Sequence, residues 1–187
     1  MAQEVDNLIR ILTEARDAIA RNDSYQLKNL SDQTIHAATI YQDADNILVS
    51  VIVYSMSKII ERETYKRMPG WNEFYKKLQK NIDVAISSLE QNNPEKFLVA
   101  LGTIRNSINE IEGNLPIYIK DIFYKAGINK AFKLYEHGLS AEKTASLLGV
   151  SLWDLATYIG QSTVSESHHN ESIPVKDRIK LAQGFFR

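Results

Sequence analysis

Apolar residues recur three or four positions apart along most of this chain, and short polar breaks separate the runs. Val5, Leu8 and Leu12 begin one such run near the N-terminus. A longer run has the members Trp71, Phe74, Tyr75, Leu78, Ile82, Ala85, Ile86 and Leu89. This spacing places the apolar side chains on one face of an α-helix. It predicts an all-α fold, with an antiparallel bundle of about six helices over residues 1–137.

One apolar segment is ambiguous between helix and strand. Residues 46–60, NILVSVIVYSMSKII, have the β-branched density of a buried strand. We favour a buried helix that continues through SKIIERETYK, because a lone strand would have no pairing partner in this chain. The segment is shorter than the roughly 20 apolar residues that a membrane span needs.

Several residues predict where helices begin and change direction. Asn93 is expected to cap a helix whose first residue is Pro94. Gly127 is expected to kink the helix that begins at Pro116. Asp43 and Asp45 of YQDAD could bind a metal ion, but helix capping is the favoured interpretation.

The stretch GLSAEKTASLLGVSLWDLATYIG, residues 138–160, has the outline of a helix-turn-helix. Ala145 is small where two helices would press together, and Gly149 lies at the turn, where a left-handed backbone favours glycine. Ser140 and Ser151 are expected to cap the two helices, and Leu155 to be buried. Residues 138–187 are therefore predicted to form this unit and a short terminal helix.

The second helix of this unit is unusual for a DNA reader. Its groove-facing residues would be Ser151, Leu152, Trp153, Ala156 and Thr157, none of which is basic. Base readout relies mainly on Arg, Lys, Asn and Gln, and exposed Leu and Trp are more typical of a protein contact. In a dimer, further basic residues could support DNA binding from beside the unit, namely Lys176, Arg178 and Lys180.

Positive charge is concentrated elsewhere in the chain. Residues 58–80 carry seven basic and three acidic side chains, although the whole chain has a net charge of −1. The basic residues that could contact phosphate are Arg62, Lys66, Arg67, Lys76, Lys77 and Lys80. They alternate with Tyr65, Trp71 and Tyr75, which suits a nucleic-acid backbone, RNA in particular. The favoured alternative is a solvated face whose lysines pair with Glu61, Glu63 and Glu73.

The segment GLSAEKTASLLGVSLWDLATYIGQS, followed by VKDRIKLAQGFF, resembles the C-terminal tail of a group of uncharacterised archaeal proteins. It is also similar to the helix-turn-helix tails of small proteins assigned as antitoxins of toxin–antitoxin pairs. The resemblance covers about the last 50 residues and does not extend to the bundle. It implies a regulator or partner-binding protein, with motif positions at Ala145, Gly149, Ser151, Leu152, Trp153 and Leu155.

The residues assemble no catalytic constellation of nucleophile, base and stabiliser, and we expect no enzyme, cofactor or metal site. None of the four histidines has an Arg five positions upstream, which argues against an RNase that uses that pair. The chain has no cysteine, and its N-terminus does not resemble a signal peptide. We therefore expect a cytoplasmic protein without a membrane partner.

The pattern as a whole indicates a non-enzymatic, DNA-binding-like regulator, antitoxin-like or transcriptional, that forms a homodimer. Its partners would be DNA or RNA, a second copy of the chain, or another protein. The alternative is an interaction protein that uses the helix-turn-helix to dock on a protein or on a ribonucleoprotein such as the ribosome.

Overall fold

The computed structural model describes residues 2–41, 44–107 and 114–167, and these contain nine helices and no strand. The all-α class predicted from the apolar spacing is confirmed. The helices are α1 (Ala2–Ala20), α2 (Ser24–Tyr41), α3 (Ala44–Ile60), α4 (Glu63–Lys66), α5 (Trp71–Glu90), α6 (Pro94–Ser107), α7 (Leu115–Glu136), α8 (Ala141–Leu148) and α9 (Leu152–Ser167).

The main hydrophobic core lies among α1, α2, α3, α5, α6 and the first turns of α7. Helix α2 packs on α3, α5 packs on α6, and α1 contacts α2, α3 and α5. Its fully buried apolar side chains include Phe74, Phe97, Leu12, Leu27 and Met56. The stripe that begins at Trp71 lies along α5 and is buried as its spacing predicts, except for the partly buried Tyr75.

The ambiguous segment is helix α3, and its serines show how a helix with polar residues can be buried. The hydroxyls of Ser50, Ser55 and Ser57 each donate to a backbone carbonyl three or four residues earlier, at 2.7 Å. Each hydroxyl therefore keeps a hydrogen-bond partner away from water. Packing against α2 and α7 outweighs the β propensity of the segment. In the described part of the chain, no helix is both long and apolar enough to cross a membrane.

The predicted continuation of this helix to Lys66 is wrong. Helix α3 ends at Ile60, and the separate four-residue helix α4 follows Arg62, whose backbone is extended. The break allows Tyr65 and Met68 to pack partly buried against the main core. Tyr65 also stacks on Tyr118 of α7, with 5.7 Å between ring centroids. This long-range contact is not visible in the local sequence.

Two other predicted helix boundaries have different outcomes. Asn93 accepts a hydrogen bond from the backbone N–H of Lys96 at 3.0 Å, and α6 begins at Pro94, as predicted. Asp45 lies inside the first turn of α3 and does not cap it. A carboxylate there still interacts favourably with the positive end of the helix dipole. Asp43 lies outside the described residues.

Helix α7 connects the main core to the C-terminal helices. It contacts α2 and α3 on one side and α8 and α9 on another. Lys130 of α7 is fully buried, and its ammonium lies 2.9 Å from the Asp32 carboxylate of α2 and 4.5 Å from the ring centroid of Tyr54 on α3. Burial lowers the pKa of Lys130, and the hydrogen bond to Asp32 partly offsets this effect. The buried ammonium of Lys130 on α7 thus contacts side chains of both α2 and α3.

Candidate interaction surface on the C-terminal helices

A small cluster of buried residues holds α8 and α9 on α7. Its fully or almost fully buried members are Ala131 of α7, Ala145 of α8 and Leu155 of α9. The half-buried side chains of Phe132 and Val150 pack around them. Ala145 and Leu155 are buried, as their positions in the sequence predict. Small residues at 131 and 145 let the three helices approach closely around the leucine.

The local signals around α8 are also present in the structure. Ser140 caps α8 by accepting a hydrogen bond from the backbone N–H of Lys143 at 3.2 Å. Gly149 follows α8 with φ of +62°, and the N–H of Val150 donates to the carbonyl of Ala145 at 3.1 Å. Only glycine adopts this left-handed backbone without a steric penalty. The chain can therefore reverse within three residues and begin α9 at Leu152.

Gly127 of α7 faces this turn, and α7 continues through it as one helix, while the kink expected there stays a prediction. A Cβ atom at position 127 would lie 3.0 Å from Cγ1 of Val150, whereas one at Gly102 of α6 would meet no atom within 4 Å. The glycine at 127 is therefore explained by the close approach of the turn.

Alanine substitutions at the two glycines give a matched test of this contact. Gly102→Ala is expected to raise the free energy of unfolding by about 0.5 to 1 kcal/mol, because alanine favours the helix. Gly127→Ala gains the same propensity but must displace Val150, so we expect it to be at least about 1 kcal/mol less stable than Gly102→Ala. Urea unfolding measures both. If both substitutions raise the free energy of unfolding equally, the close approach of Val150 to position 127 does not affect stability.

The five residues between Ser151 and Thr157 that were predicted to face a partner lie on the surface. Ser151, Ala156 and Thr157 are exposed, as are Leu152 at 45% and Trp153 at 80%. The Thr157 hydroxyl donates to the carbonyl of Trp153 at 2.9 Å, within α9. The largest exposed side chain of this surface is therefore the apolar ring of Trp153. We call these five residues the α9 face.

A carboxylate lies beside the α9 face. Helix α9 carries Asp154 in its first turn and contains no lysine or arginine. The Tyr124 hydroxyl of α7 donates a hydrogen bond to the Asp154 carboxylate, and the backbone N–H of Ser151 donates to the Tyr124 oxygen at 3.5 Å. The bond to Asp154 raises the pKa of the Tyr124 hydroxyl. These contacts tie the start of α9 to α7.

The basic residues of the segment 58–80 lie on other helices. Lys66 pairs with Glu63, Lys77 pairs with Glu73 at 3.0 Å, and Lys58 pairs with Glu61 at 3.2 Å. These are the pairings that the solvated-face interpretation predicts, and exposed pairs of this kind contribute little to stability.

The other predicted phosphate-contacting cations of this segment are Arg62, Arg67, Lys76 and Lys80. Arg62 lies 5.4 Å from the ring centroid of Tyr65 and donates to its hydroxyl at 3.1 Å. Arg67, Lys76 and Lys80 are exposed. Helix α5 packs on α1, α4 and α6, whereas α9 packs on α7 and α8. The basic residues and the α9 face therefore belong to separate parts of the molecule.

Part of the predicted site lies outside the described residues. This part comprises Lys176, Arg178 and Lys180 and the short terminal helix. Within the described ranges, no group of three or more His, Cys, Asp or Glu side chains is arranged to hold a metal ion.

Comparisons of the chain with protein-family models, with curated proteins and with solved structures give no match. The resemblance of residues 138–187 to archaeal and antitoxin tails therefore stays a prediction.

Proposed function

We propose that this protein is a non-enzymatic regulator that binds a protein partner through the α9 face. The observation that carries the proposal is the exposure of Trp153, 80% accessible on a helix without a basic residue. Tryptophan is among the residues that contribute most often to binding energy at protein interfaces. Leu152 beside it, 45% exposed, adds apolar area that a partner would remove from water.

Electrostatics favours a protein over a nucleic acid as the partner of this face. Most non-specific affinity for DNA comes from lysine and arginine against phosphate. The α9 face offers neither, and the nearby Asp154 carries a charge that repels phosphate. Depletion of charge around a central aromatic residue is instead typical of the core of a protein interface.

A second candidate function is duplex DNA binding by a helix-turn-helix regulator. It is supported by the succession of α8, the left-handed Gly149 and α9, and by the small Ala145 between the helices. In that case a homodimer would present two such units. The phosphate contacts would come from the 58–80 segment and from Lys176, Arg178 and Lys180, outside the α9 face.

A matched pair of exposed aromatic residues tests the primary proposal. Trp153→Ala is expected to weaken association with the partner by at least about ten-fold, because it removes the largest apolar side chain of the face. Tyr25→Ala is the control, since Tyr25 of α2 is 79% exposed and lies outside the face. The full chain is used as bait in nuclease-treated lysate of the source cells, and the recovered partner is purified for titration against both variants.

The outcome distinguishes the two candidates. Equal association of the Trp153→Ala and Tyr25→Ala variants would contradict docking through the α9 face. Duplex DNA titrated at about 50 mM salt and again at about 200 mM provides the other arm. Binding that falls steeply between these concentrations, and that Trp153→Ala leaves intact, would replace the primary proposal with DNA binding. Analytical ultracentrifugation of the same samples reports whether the chain is a dimer.

A further inference from the structure

A groove of about 820 Å³ lies among α3, α6, α7 and α8, apart from Leu152 and Trp153. Its buried apolar lining residues belong to α3 and α6: Ile47, Val51, Ile52 and Leu101. Leu98 of α6 and Leu147 of α8 line it as well, yet each is 46% exposed. The volume falls within the range of sites that bind small molecules, roughly 300–1,000 Å³. An apolar surface this deep and this open is suited to an apolar ligand.

The polar residues of the groove give it a positive sign. Arg105 of α6 and Lys120 of α7 line it, and none of the described lining residues is acidic. Neither cation forms an ion pair with another described residue. Asn106 and Tyr124 add neutral hydrogen-bonding groups. Two cations that form no ion pair with the described residues, beside an apolar surface, are complementary to a molecule with an apolar body and one anionic group.

We propose that this groove binds an anionic amphiphile, a small molecule with an apolar chain or ring system and one carboxylate or phosphate group. The anionic group would lie against Arg105 and Lys120, and the apolar part would cover Leu98, Leu147 and the buried residues beneath them. Charge complementarity favours this occupant over residues 168–187 of the chain, which carry four basic and two acidic side chains, a net charge of +2.

One wall of the groove is formed by the end of α8 and the turn that follows it: Leu147, Leu148, Gly149 and Val150. The groove therefore adjoins the C-terminal helices. A ligand in the groove would contact the turn between α8 and α9. It would also contact Tyr124, whose hydroxyl is hydrogen-bonded to the Asp154 carboxylate. Binding would therefore stabilise the contacts of α8 and α9 with α7, and the melting temperature is expected to rise with ligand concentration.

Gly102 provides a way to close the groove without changing its charge. It lines the groove on α6, and a Cβ atom there meets no other atom within 4 Å. Gly102→Leu is therefore expected to fill the groove while favouring the helix. Arg105→Gln with Lys120→Gln removes the charge and leaves the apolar surface. Both cations are exposed, so this double variant is expected to keep its fold.

The experiment uses three decyl probes that differ only in the charge of the head group. Decanoate, decanol and decylammonium compete with fluorescent 11-(dansylamino)undecanoate for the full chain. We expect decanoate to displace it at concentrations at least about five-fold lower than decanol, and decylammonium to be the weakest. The Arg105→Gln, Lys120→Gln variant should remove the advantage of decanoate over decanol. Gly102→Leu should weaken all three probes by at least about ten-fold.

Three results would each overturn the proposal. They are an absence of saturable binding by the dansyl probe, equal competition by decylammonium and decanoate, and an unchanged affinity in the Gly102→Leu variant. Circular dichroism of each variant verifies its fold. Because these titrations contain neither DNA nor a partner protein, their outcome is independent of the function proposed for the α9 face.

Discussion

Replacing Asp32 with alanine is expected to lower the free energy of unfolding by about 2 to 3 kcal/mol at neutral pH. Asp32 is 61% exposed, but its carboxylate is the counter-ion of the fully buried Lys130, 2.9 Å away. Without it the favourable electrostatic contact that the described residues still give the ammonium is the ring of Tyr54, at 4.5 Å. A buried charge without a counter-ion is strongly destabilising. Urea unfolding at about pH 7 measures the loss.

Lys130→Met is the control for this prediction. It removes the buried charge and keeps an unbranched side chain of similar length, while the exposed Asp32 carboxylate returns to water. We expect a change of less than about 1 kcal/mol, because a well-packed apolar residue often replaces a buried ion pair without loss. Equal destabilisation by Asp32→Ala and Lys130→Met would show that the pair itself, rather than the isolated charge, determines the effect.

The pH dependence of the Asp32→Ala variant provides a second measurement. Burial already lowers the pKa of Lys130 below the ordinary value of 10.5, and removal of its counter-ion should lower it further. Between the folded and unfolded pKa values, the unfolded state binds more protons, so stability rises with pH. The loss caused by Asp32→Ala should therefore shrink as the pH rises from neutral toward the ordinary lysine pKa of 10.5. Lys130→Met has no such group and should not show this change relative to wild type.

The buried lysine also shows what the sequence could and could not predict. Ala126, Lys130 and Leu134 are four residues apart and lie on one face of α7, and all three are buried. This spacing was a usable signal that the lysine belongs to an apolar stripe. Its counter-ion Asp32 is 98 positions away in the chain, and no local pattern identifies it.

Helices with strong periodicity and clear end signals were predictable, as the Trp71 stripe of α5 and the Asn93–Pro94 start of α6 show. The end of α3 at Ile60 was not predictable. Residues 61–66 have helical propensity, but the path of the chain there is determined by Tyr65 and Met68 packing on the distant core. Tertiary contacts outweigh a propensity that amounts to only a few tenths of a kcal/mol per residue, roughly.

The two candidate sites, the α9 face and the groove, also differ in how far the sequence predicts them. The α9 face lies on one helix, so its periodicity alone predicts that Trp153 and Thr157 share the exposed side, and both are exposed. The groove takes its residues from four helices, from Ile47 to Val150. Arg105 and Lys120 are unremarkable in the sequence, and they become a candidate anion site only when packing brings both to one apolar groove.

Replacing Leu155 with alanine is expected to release α8 and α9 from α7 while the main core stays folded. Leu155 is fully buried, and among the described residues the other buried members of its cluster are Ala131 and Ala145. Loss of its side chain should cost about 2 to 4 kcal/mol, because two alanines cannot fill the space that it leaves. Hydrogen exchange followed by mass spectrometry should show faster exchange in residues 141–160 and little change in α1 and α5.

Phe97→Ala is the matched control, since Phe97 is equally buried but belongs to the main core. It should lower global stability by about 3 to 5 kcal/mol and accelerate exchange in the helices of that core. The comparison tests the predicted boundary between residues 1–137 and 138–187, because separate clusters can open separately. If Leu155→Ala accelerates exchange in α1 and α5 as much as in α9, the two parts unfold as one cooperative unit. That boundary would then have no thermodynamic meaning.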